Sequence, residues 1–122
     1  MEQWEKDFEW LRVQHIVRDT MGIEKMPDLQ GILFLIGIQE LGQIERAFSK
    51  EEKQDLIHIA VCRLLSYDGY YSFKGRDEDG WPHYDLLRPV QIGRKEQDDL
   101  LKRKVIEYFK ELENENGGFS TI

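Results

Sequence analysis

Residues 75 to 85, GRDEDGWPHYD, place four carboxylates, a histidine and two aromatic rings within eleven positions. Acidic residues alternating ahead of a glycine are the chemistry of a calcium loop. In a twelve-residue EF-hand loop the glycine is sixth, so Gly80 would put Gly75 first and Leu86 last, where side-chain oxygens are required. Neither supplies one, and the segment reads instead as a polar turn whose Asp side chains bond nearby amides.

His83 with Asp77, Asp79 or Asp85 supplies the parts of a general base and an orienting carboxylate. Ser72 is the one obvious nucleophile nearby, and no glycine-rich turn offers an oxyanion hole. No G-x-S-x-G, P-loop or dinucleotide fingerprint occurs. The plainer role for His83 is an exposed strand residue facing Ser72.

Asp55, His58 and Cys62 fall at i, i+3 and i+7, on one face of a helix. This resembles half of the carboxylate-and-histidine site of a metal-binding bundle, which needs a second Glu-x-x-His and further inward Glu residues. No second copy is present, so His58 reads as partly buried and Cys62 as a small core hydrophobe. No metal and no cofactor is expected. His15 reads as a satisfied core or interface histidine. Glu40, at the edge of an apolar face, reads as a partly buried carboxylate with a basic partner such as Arg63.

The 122 residues fit one domain, 1–122, able to bury roughly two-thirds of the unfolded chain's surface. A hydrophobic fraction of 40% with three Trp, six Phe and five Tyr argues for a packed core. The net charge of −7, with acidic and basic residues mixed along the chain and no run of Lys or Arg that could track a phosphate backbone, disfavours nucleic acid and anionic membrane surfaces as partners. Cys62 is the lone cysteine, so no internal disulfide forms. The opening MEQWEKDFEW lacks the basic and continuously apolar regions of a secretory signal, and a cytoplasmic location is expected. The most apolar run, ILFLIGI at 32–38, is too short to cross a bilayer, which takes about 20 residues, and suits the centre of a buried helix.

Apolar periodicity predicts four helices, at about 3–19, 28–47, 50–67 and 94–114. The first carries Trp4, Phe8, Leu11 and His15 on one face and Trp10, Val13 and Val17 on nearly the opposite face, so it should lie between two surfaces. Asp28 is placed to cap the second helix. In that helix Gly31, Gly37 and Gly42 suggest close approach of a neighbour, since each costs up to ~1 kcal/mol relative to Ala. Ser49 and Glu52 form a capping box for the third helix, and Gly69 should end it. One or two residues then separate helices two and three, as in an antiparallel hairpin of helices.

Between helices three and four, residues 70–92 are expected to form a β-hairpin or an ordered long loop. With Lys74 opposite Trp81, the pleat puts Tyr71, Phe73, Pro82, Tyr84 and Leu86 on the face packed against the helices. Tyr70, Ser72, Trp81, His83 and Asp85 form the outward face. Pro82 makes the return strand an edge. Residues 115–122 read as a flexible tail.

The expected fold is therefore mainly α, a four-helix bundle or array with this insert. The expected function is that of a small protein-interaction or regulatory domain that self-associates as a homodimer. Trp81, His83, Tyr70, Asp85 and Trp10 are the candidate contact residues, with the region around Trp4. The alternative is a small hydrolase or metal-dependent enzyme built on His83, Asp77, Asp79 and Asp85. A third possibility is a small-molecule sensor with a pocket between hairpin and bundle.

Overall fold

The computed structural model describes residues 2–43 and 47–116. It contains four helices, α1 (Gln3–Met21), α2 (Leu29–Leu41), α3 (Lys50–Leu65) and α4 (Arg94–Asn116). A 3₁₀ turn, Ser66–Asp68, and an antiparallel hairpin of β1 (Tyr71–Arg76) and β2 (Pro82–Leu86) lie between α3 and α4. This is the mainly α architecture with an inserted hairpin that the sequence predicts.

The apolar run of α2 makes it the central element. Ile32, Leu33 and Ile36 have no exposed surface, and around them pack Val13 and Val17 of α1, Ala60, Leu64 and Leu65 of α3, and Leu101, Val105 and Phe109 of α4. A smaller cluster of Leu41, Leu56 and Ile59 gathers Phe34, Ile38, Phe48, Trp81 and Tyr84 under the hairpin. Helix α2 comes close to α3 at Gly37, which faces the Leu56 backbone.

Local capping accounts for several helix ends. The Asp28 side chain accepts the Gly31 amide at 2.9 Å. At the start of α3 the Glu52 amide donates to Ser49 Oγ (3.1 Å) and the Ser49 amide to Glu52 Oε1 (2.9 Å), the reciprocal box expected there. Glu2 and Glu5 make a similar box for α1, which the sequence reading did not anticipate.

Three boundaries differ from expectation. Helix α2 stops at Leu41 rather than near 47, because Gly42 turns left-handed (φ +78°) and its amide donates to the Ile38 carbonyl. The connection to α3 is accordingly longer than one or two residues. Phe48 lies in it and meets Phe34 edge-on at 6.2 Å between ring centroids, while Ile44 falls outside the described residues. Helix α3 yields to the 3₁₀ turn after Leu65, with Gly69 (φ +79°) ending that turn. Helix α4 continues to Asn116, through the first two residues of the expected tail, and 117–122 lie outside the described residues.

Within the strands the hairpin keeps the predicted alternation of side chains but not its register. Tyr71 pairs with Leu86, Ser72 with Asp85 and Phe73 with Tyr84, then Lys74 is bulged out, and Gly75 pairs with His83 and Arg76 with Pro82. The shift from the expected Phe73–Pro82 pairing is two residues, so side-chain parity is unchanged along 71–73 and 84–86. Its cause is Arg76, which belongs to the strand rather than the turn. Its guanidinium donates to the carbonyls of Glu40 (2.6 Å), Leu41 (3.3 Å) and Gly80 (2.7 Å), tying the hairpin to the end of α2. The Gln43 amide adds a bond to the Asp79 carbonyl (3.0 Å).

The inward face is only partly covered. Pro82 is buried and Tyr71 and Tyr84 half-buried, but Phe73 and Leu86 remain exposed, at 56% and 58%. Phe73 packs edge-on against Tyr84, with 5.5 Å between ring centroids.

Candidate functional site

Helix α3 and the hairpin turn enclose a cleft of about 430 Å³. Asp55 and His58, one helical turn apart, form one wall. Asp77, Asp79 and His83 form the other, with Trp81 and Pro82 alongside. Two groups of residues that the sequence places on separate elements thus meet at one opening.

The hairpin side is ordered by Asp77. One carboxylate oxygen accepts the amides of Asp79 (2.9 Å) and Trp81 (3.0 Å), and the other lies 2.8 Å from His83 Nε2. The hydrogen bond to His83, helped by those amides, holds the Asp77 carboxyl below its ordinary range. Of the three carboxylates expected to serve His83, Asp77 is the partner. Asp79 lines the cleft, whereas Asp85 faces outward, opposite Ser72 and 3.9 Å from Lys74 Nζ.

On the helix side, His58 Nε2 lies 3.5 Å from Cys62 Sγ and its ring meets Tyr71 edge-on at 6.3 Å. Cys62 is 3% exposed, and burial pushes its thiol up to about 11, so it remains a neutral thiol packed in the core. Asp55, His58 and Cys62 therefore do not converge on one point in the cleft. Among the described residues no three His, Cys, Asp or Glu side chains are disposed to hold a metal ion.

The cleft thus holds an imidazole with an orienting carboxylate and a second imidazole across from it. The described residues lining it include no hydroxyl, thiol or amine, so the chemistry it offers is that of imidazoles and carboxylates, with His83 placed to activate a water.

The contact residues expected from the sequence separate into two groups. His83 and Asp85 are exposed. Trp81, expected on the outward face, is half-buried in the small cluster with Leu41, Leu56 and Ile59, because it precedes β2 and turns back under the hairpin. Tyr70 also lies just outside the strands, packed on the main core with the Arg88 guanidinium 4.1 Å from its ring centre. Trp10 packs on the core with Lys102 Nζ 5.3 Å from its ring centre. All three rings use much of their surface inside the molecule.

Besides Phe73 on the hairpin, the exposed aromatic side chains among the described residues lie on α1. Val13 and Val17 face the core, while the opposite stripe presents Trp4 (69% exposed), Phe8 (61%) and Leu11 (47%), with His15 exposed at its end. His15 is accordingly not a core histidine. Both stripes are visible in the sequence, but only the docking of α1 against α4 and α2 selects which one turns inward.

Among the described residues no helix is long and apolar enough to cross a membrane. Comparison of the chain with protein-family models, with curated proteins and with solved structures finds no match.

Proposed function

We propose that this chain is a small protein-interaction module that self-associates through the outward stripe of α1. The observation carrying this reading is the exposure of Trp4, Phe8 and Leu11 in successive turns of one helix. Scattered exposed apolar residues need no explanation, but two large aromatics and a leucine in one stripe form a contiguous patch of the kind that interfaces use. Aromatic rings also give large contact area for little loss of side-chain freedom. Burying such a side chain fully contributes about 2 kcal/mol, so two copies of the stripe could drive a dimer despite the net charge of −7 on each chain.

Phe8→Asp tests this. The side chain lies outside both core clusters, so the variant should melt within a few degrees of the parent, while its self-association weakens at least about tenfold by sedimentation equilibrium. A parent chain that stays monomeric at about 100 µM, or a dimer indifferent to Phe8→Asp, would remove the reading.

The His83–Asp77 pair favours a second reading, a small hydrolase in which His83 activates water and Asp77 fixes its ring. Turnover of an activated ester should then fall by at least about a hundredfold in His83→Asn. Activity equal to that of free imidazole, or unchanged in His83→Asn, would exclude it.

A further inference from the structure

We infer that the partner of α1 is the α1 of a second copy, laid antiparallel so that the two stripes interdigitate about a two-fold axis. This rests on the reading of α1 as the contact surface and adds the orientation and register of the pair.

The spacing carries the argument. Trp4, Phe8, Leu11 and His15 are separated by four, three and four residues, the repeat of a coiled-coil seam, and they lie opposite the stripe that holds α1 in the core. The stripe is symmetric about the midpoint between Glu9 and Trp10. Reversing one helix therefore lays Phe8 against the partner's Leu11 and Trp4 against the partner's His15, each contact occurring twice. Every layer then pairs a large ring with a smaller side chain.

A parallel pair would instead stack Trp on Trp and Phe on Phe at one end and face two imidazoles at the other. It would also align the two helix dipoles, whereas the antiparallel pair opposes them.

Charge on the flank agrees. Glu5 and Arg12 border the stripe on the same side, and reversal brings Glu5 of each copy toward the partner's Arg12. Arg12 already holds Glu9 (3.1 Å) and Glu113 of α4 (2.7 Å), bonds that use two of the five N–H donors of a guanidinium and fix its position beside the stripe. Because a parallel pair would offer Arg12 another acid, Asp7, orientation is best decided by distance.

Asp19 is suited to that measurement, being exposed and outside the stripe. A spin label on Asp19→Cys lies nine and a half residues from the midpoint, so in the antiparallel pair two labels are separated by about 30 Å along the axis. In a parallel pair they are side by side, separated by little more than the interaxial distance of about 10 Å. Cys62, 3% exposed, should not label, and the parent chain serves as the control.

The expected result is a label distance of about 30 Å that disappears when Phe8→Asp is added. A short distance that also disappears with Phe8→Asp would overturn the antiparallel arrangement and leave the contact surface standing. A distance unaffected by Phe8→Asp, or no intermolecular distance in a chain that sediments as a monomer, would overturn both.

Discussion

Gly37→Ala is expected to destabilise the fold by about 2 kcal/mol, although alanine is the better helix former. The added Cβ would fall on the carbonyl oxygen of Leu56, 2.7 Å from its carbonyl carbon and 2.9 Å from its Cβ. The obstruction is backbone, so no side-chain rotation relieves it and α2 and α3 must move apart. That separation disturbs both apolar clusters, because Ile36 belongs to the larger and Leu56 to the smaller. Overpacking of this kind costs about 3 kcal/mol at its upper range, and the helix propensity of alanine returns about 1.

Gly31→Ala is the internal control. Its Cβ would meet only Pro27 Cβ at 3.4 Å and Asp28 Oδ1 at 3.5 Å, so that variant should gain about 0.5 kcal/mol through reduced freedom of the unfolded chain. Urea titration of both variants, followed by far-ultraviolet circular dichroism, measures the difference. Equal midpoints for Gly37→Ala and the parent would mean that α2 and α3 are not in this contact.

The same glycines show what the sequence could and could not reveal. All three in the predicted second helix suggest a close neighbour, and at Gly37 that reading is right. Gly42 is a cap instead, and Phe48 beyond it, in the connection to α3, imitates a continuing helix. Signals contained within one turn of chain, such as Ser49 with Glu52 or Asp28 with Gly31, are legible because the physics is local. Hairpin parity is legible for the same reason, since side chains alternate whatever the turn.

Its register is not, because Arg76 sets it by bonds to the backbone of Glu40 and Leu41 more than thirty residues away. The cleft is less legible still. Asp55 and His58 on one helix, and Asp77 and His83 on one turn, are each visible as groups. Their meeting depends on how the hairpin docks on α3. Trp81 marks the same limit: its position in the pattern points outward, but the small cluster draws it under the hairpin.

Arg63→Leu is expected to cost about 3 kcal/mol, the other large effect, because Arg63 is the hub of a partly buried network joining four elements. Its guanidinium lies 3.3 Å from Glu40 of α2 and 3.8 Å from Glu111 of α4, with its centre 4.8 Å from the Tyr67 ring and 5.7 Å from the Tyr108 ring. Tyr108 donates to Glu40 at 2.7 Å and Tyr67 to Glu111. Burial first, and the neighbouring carboxylates second, raise both phenols so that they stay protonated donors. Tyr84, alongside, is pushed up to about 12 by the same two causes, burial and then Glu40.

Removing the cation leaves Glu40, only 23% exposed at its side chain, with the Tyr108 hydroxyl but without a counter-charge. That uncompensated carboxylate, more than the lost attraction, supplies the penalty. Two further variants separate the causes. Arg63→Lys keeps the charge but loses the planar stacking and the reach to two carboxylates, so about half the loss should persist. Adding Glu40→Leu to Arg63→Leu removes the stranded charge and should recover about 1 to 2 kcal/mol, a coupling read from a double-mutant cycle in guanidinium. Additive losses in that cycle would mean that Glu40 finds solvent when Arg63 is gone, and that the network orients the helices without holding them together.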